Sequence, residues 1–187
     1  MNFYELVLLA IILPGIIFLF NKFVINKILE KKMKTIIFST KNGKEEDVIV
    51  TFNSDEAEIN KEIKKFIEFE DSVYKLIKNE LSIYPNVNVL IGKYADFIIE
   101  YNDKRIAIEC KSNLNHINKK SLERYFKDEG GVENLIFVSK NIVKNNIKNS
   151  IEKSYSNIDF IDNFDGSGKA RDNLIDEIKK DLNIIYN

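Results

Sequence analysis

The chain has 187 residues, 44% of them hydrophobic and 30% charged, which suits one globular domain with appendages and excludes a disordered polar chain. Net charge is −1, so no global field draws the protein to nucleic acid, and any basic surface is local. One cysteine, Cys110, and one histidine, His116, exclude an intrachain disulfide, a Cys-rich zinc site and a His-rich metal site.

Leu6 to Phe20, LVLLAIILPGIIFLF, holds no charged residue. As a helix it spans ~22 Å, and extension through Ile25 brings it to the length that crosses a bilayer. Pro14-Gly15 would kink a soluble helix but is tolerated in a membrane one. No Lys or Arg precedes the run and no small-x-small cleavage site follows, which argues against a secretory signal peptide. A buried core helix is the soluble rival, but a run apolar on all sides has few places to hide in a domain this small. The expectation is an uncleaved single-pass anchor. Lys22, Lys27, Lys31, Lys32 and Lys34 follow it, and the positive-inside rule then puts the rest of the chain on the cytoplasmic face of the cell membrane.

Thr35 to Phe52 reads as a hairpin around Asn42-Gly43, functionally silent. Ser54 to Leu81 reads as the clearest helix, with Ser54 as N-cap. Ile59, Ile63, Phe66, Ile67, Val73, Tyr74, Ile77 and Leu81 form its apolar stripe. Glu70 falls within that stripe, where a carboxylate is costly to bury unpaired unless it reaches water at the edge. Val87 to Ile91 is a short strand candidate.

Tyr94 to Asn113, YADFIIEYNDKRIAIECKSN, carries the chemistry. Two period-two runs flank Asn102-Asp103, which predicts a two-residue hairpin. Tyr101 then faces Lys104, Glu100 faces Arg105, and Asp96 faces Glu109. One face holds Ala95, Phe97, Ile99, Tyr101, Ile106, Ile108 and Cys110, and belongs against a core. The other holds Asp96, Ile98, Glu100, Arg105, Ala107, Glu109 and Lys111. Opposed like charges are destabilising at Cβ separations of ~5 Å. A divalent cation between Asp96 and Glu109 relieves that cost, with the Lys111 amine beside it. The bland alternative is a surface hairpin with solvated charges.

Beyond the hairpin, Asn118 to Asp128 reads as a helix stopped by Gly130-Gly131, and Leu135 to Val138 as a buried parallel strand. Lys140, Lys144 and Lys148 recur every four residues along an expected helix, as a solvated face or a track for a phosphate backbone. Asn157 to Ile161 is a further strand candidate. Asp165 to Gly168 is a loop with the wrong spacing for a P-loop. Ala170 to Tyr186 is an amphipathic closing helix with Leu174, Ile175, Ile178, Leu182 and Ile185 inward.

Asp96 followed by Glu109-Cys110-Lys111 resembles the D…(D/E)xK signature of the PD-(D/E)XK nuclease superfamily, the restriction-endonuclease-like fold. The likeness spans roughly Ile59 to Phe160, about one domain. Ala95 stands where the family's eponymous proline would. The resemblance implies an α/β fold, a mixed sheet of four or five strands flanked by helices. It implies a DNA substrate ahead of RNA, and Mg²⁺ as cofactor with Mn²⁺ as a substitute. It also implies that Asp96 and Glu109 ligate the ion and that the Cys110 carbonyl can add a ligand. Lys111 would act on the attacking water or the developing charge, and Glu70 would support the metal. The expected organisation is an anchor and basic segment at 1–33, a hairpin connector at 34–53 and a nuclease-like domain at 54–187. Two other readings stand beside this one: an inactive nuclease-like module that binds nucleic acid or a protein partner at the membrane, and a membrane-anchored interaction protein.

Overall fold

The computed structural model describes residues 33–39, 45–111, 114 and 119–184. The Leu6–Ile25 run, the Asn42-Gly43 turn and His116 lie outside them. Among the described residues no helix is long and apolar enough to cross a membrane.

The elements in chain order are β1 (Met33–Ser39), β2 (Glu45–Thr51), α1 (Glu56–Leu81), β3 (Val87–Ile91), β4 (Phe97–Tyr101), β5 (Lys104–Lys111), α2 (Lys119–Lys127), β6 (Asn134–Ser139), α3 (Asn145–Glu152), β7 (Ile158–Ile161) and α4 (Gly168–Asp181). β1 and β2 form their own antiparallel pair. The other five strands form one mixed sheet in sequential order, β3-β4-β5-β6-β7. The first three are antiparallel, and β5, β6 and β7 run parallel. The chain is therefore an α/β protein with a five-stranded mixed sheet, as expected from the sequence.

Each face of the sheet has its own core. Phe97, Ile99, Ile106, Ile108, Cys110, Ile136 and Val138 pack on one side with Phe66, Val73 and Ile77 of α1 and Leu174 and Ile178 of α4. Ile98, Ala107, Leu135, Phe137 and Ile158 pack on the other with Leu122 and Tyr125 of α2 and Ile151 of α3. Helices on both faces explain why the centres of β5 and β6 are continuously buried rather than alternating. The hairpin β1–β2 joins the first core through Val48 and Val50, and Phe38 meets Phe66 edge to face with centroids 6.1 Å apart.

Local signals place most boundaries. The Tyr101–Lys104, Glu100–Arg105 and Ile99–Ile106 pairs show the expected register, and Asn102 takes the left-handed φ of 53° that the tight turn needs and Asn tolerates. α1 starts later than expected: its cap is Asp55, whose carboxylate accepts the Glu58 N–H at 2.8 Å, not Ser54. Its stripe is also shifted, with Phe69 buried and Ile67 about half exposed. A 26-residue helix drifts relative to a fixed three-four repeat, so counting from one end misplaces a residue near the middle. α4 closes at Asp181, short of Tyr186, where the chain turns through Asn183 at φ 55°.

Candidate active site

β4 begins at Phe97, one residue after Asp96, so Asp96 is not itself a rung of the ladder. Its backbone is still tied to the sheet. The Asp96 N–H donates to the Ile108 carbonyl at 3.1 Å, and the Asp96 carbonyl accepts the Gly92 N–H at 3.2 Å. Its carboxylate Oδ2 accepts the Cys110 N–H at 2.6 Å. These bonds hold the carboxylate against the end of β5. The departure from the ladder also breaks side-chain parity: Ala95, expected on the Cys110 face, joins the opposite core with Ile98 and Ala107.

The entry to Asp96 is shaped by a residue that the sequence did not mark. Glu129, buried just after α2, accepts the Lys93 N–H at 2.5 Å and the Tyr94 N–H at 2.6 Å. Arg105 is held near it, with Nε 2.9 Å from Glu100 and an N–H donated to the Glu129 carbonyl at 3.2 Å. Nothing in the spacing around Gly130-Gly131 announces this contact across 35 residues.

Asp96, Glu109 and Glu46 each offer a carboxylate oxygen, and these three oxygens lie within 4.8 Å of one another. All three residues are buried, with Glu109 at 0% and Glu46 at 1% exposure, so they are not a solvated face. The Lys111 ammonium is 2.8 Å from Glu109 Oε1 and ion-pairs with Glu46 Oε2. Three hard oxygen donors so close together could hold a hard divalent cation rather than an ion that prefers thiolate or imidazole.

Glu46 lies in the hairpin that the sequence reading treats as silent. Its signal was parity: counting back in twos from Val50 and Val48 reaches Glu46, a carboxylate on the strand's inward face. Glu70 sits half-buried in α1 with Oε1 shielded from solvent, and it does not belong to the close group of carboxylates. Cys110 turns its thiol into the core, as its parity predicts.

The lysine row is not a helical face. α3 starts only at Asn145, so Lys140 and Lys144 stand in the preceding loop, both exposed. Lys148 is turned to Asp162, 3.0 Å away. The Lys140 main chain runs beside the end of β5, where its N–H donates to the Lys111 carbonyl at 3.3 Å.

A second acidic group joins Asp159 of β7 to Glu177 and Asp181 of α4. Burial, then the neighbouring carboxylates of Glu177 and Asp181, push the Asp159 carboxyl up to about 6.

The chain is thus an α/β protein with a buried carboxylate–lysine cluster at the mouth of its central hairpin. No protein-family model matches the sequence, and no curated protein matches it.

Proposed function

We propose that the chain is a metal-dependent nuclease of the PD-(D/E)XK type that hydrolyses phosphodiester bonds, with DNA as the favoured substrate. The observation that carries this reading is the buried meeting of Asp96 and Glu109 with the Lys111 ammonium. The element order supports it, since a helix, α1, precedes the antiparallel strands and a helix and parallel strand follow the hairpin.

In this reading Asp96 and Glu109 would hold Mg²⁺, and the Cys110 carbonyl is a candidate further ligand. A bound divalent ion would supply Lewis acidity and lower the pKa of a water. Lys111 would orient the attacking water or stabilise the charge that builds on the phosphoryl oxygens. Glu70, outside the close group, would support the ion directly or through water. Lys140, exposed and following the end of β6 next to Lys111, is a candidate for a contact with a phosphate of the substrate backbone. The Leu6–Ile25 run tethers this domain to the cytoplasmic membrane face.

The test is to incubate the full-length chain, in mild detergent, with circular and linear DNA and RNA, with Mg²⁺, Mn²⁺ or EDTA. Cleavage should require metal, and Lys111→Ala should lower turnover by about 100- to 1,000-fold, the usual cost of losing one stabilising donor. Binding of nucleic acid without cleavage under any metal would transfer the protein to the class of inactive binding modules.

A further inference from the structure

We propose that Glu46 is a positioning residue for Lys111, so that the catalytic unit spans both sheets of the protein. The inference rests on the nuclease reading and assigns the β1–β2 hairpin a part in it.

Lys111 ends β5, and its ammonium lies at the tip of a flexible four-carbon stem. Left to itself such a side chain samples many rotamers, and holding it in one place costs conformational entropy. Here it is held between two fully buried carboxylates, Glu109 from its own strand and Glu46 from β2. Glu109 alone sits two residues away on the same strand and constrains the ammonium from one side. Glu46 comes from 65 residues earlier and fixes it from another.

The hairpin is built to carry that load. Val48 and Val50 follow Glu46 on the inward face and are themselves buried, at 2% and 3% exposure. Ile36 and Phe38 of β1 pack against the same core. The Lys34 ammonium ties the far end of the hairpin to the Ser54 carbonyl at 3.3 Å. Apolar packing therefore fixes the strand, and the strand fixes Glu46. A carboxylate buried to this extent is costly unless it is paired. The pair with Lys111 supplies that partner and, with it, a defined place for the ammonium.

Glu46 also belongs to the close carboxylate group, so ligation of the ion and positioning of the lysine make different predictions. The experiment measures metal-dependent cleavage by full-length wild type, E46Q, E46D, K111A and E46Q/K111A chains, each checked for folding by circular dichroism. Positioning predicts that E46Q lowers kcat by about 10- to 100-fold, the range for partners that orient a working group. The KM for nucleic acid and the Mn²⁺ concentration for half-maximal activity should stay at wild-type values, and E46D should recover part of the loss. In the K111A background E46Q should cost nothing more. Should E46Q fail to fold, the cycle is run with E46D, whose shorter reach should lower turnover only when Lys111 is present.

Equal losses in the two backgrounds would overturn the inference and leave the nuclease reading standing. A marked rise in the Mn²⁺ requirement of E46Q would do the same, by making Glu46 a ligand. A wild-type chain that cleaves nothing takes both down together.

Discussion

Asp96 bears more hydrogen bonds than its place in the sequence suggests. Its N–H, its carbonyl and its carboxylate are each tied to a different neighbour, Ile108, Gly92 and Cys110. An asparagine at this position keeps an oxygen for the Cys110 N–H but loses the charge. D96N should therefore fold, with a melting temperature at or above that of the wild type when metal is absent, because one of three crowded carboxylates is gone. Wild type should be stabilised by Mg²⁺ or Mn²⁺ through mass action, by about 2.7 kcal/mol at a hundred times the Kd. D96N and E109Q should lose that metal-dependent rise. Thermal melts with and without each ion check this, and a wild-type curve indifferent to both ions would remove the metal from the site.

At the scale of elements, the loop that delivers Asp96 is narrower than any side chain allows. A Cβ on Gly92 would lie 2.5 Å from the Ala95 carbonyl oxygen and 2.7 Å from the Glu129 carboxylate. The first contact is with backbone, so rotating a side chain does not relieve it. G92A should cost about 1–3 kcal/mol of stability, as overpacking does, and should lower cleavage further by moving Asp96. Denaturant melts combined with the cleavage assay test this, and an unchanged midpoint would show that the loop yields freely. The β4–β5 hairpin was legible in the sequence because period-two alternation and a two-residue turn are local signals. The Asp96–Glu109 meeting followed from it, although by a bent approach rather than a ladder rung. What stayed hidden was set at long range. Parity could mark Glu46 as inward-facing, but its pairing with Lys111 across 65 residues, like that of Glu129 across 35, lies beyond any spacing rule. The lysine row misled for the opposite reason: a four-residue repeat looks helical even where Lys140 and Lys144 lie in a loop.

Across the whole molecule, acid pairs away from the site shape stability. The Asp159 carboxyl lies above its ordinary 3.8, at about 6, through burial and the carboxylates of Glu177 and Asp181, with Glu152 adding to the rise and Lys180 opposing it. A raised carboxyl favours the protonated form on folding. Its contribution to stability is full below its ordinary value and is lost as pH climbs through about 6. D159N should therefore melt higher than wild type at neutral pH, and the gap should close as pH falls below about 4. A gap independent of pH would assign the effect to packing instead. The five-stranded sheet carries Asp96, Glu109 and Lys111, but Glu46 arrives from the separate pair β1–β2. A fragment trimmed to start at residue 54 would thus keep every strand of the large sheet and still lack one wall around the Lys111 amine. The smallest unit that keeps Glu46 beside Lys111 therefore includes both strands of the small pair, from Met33 onward.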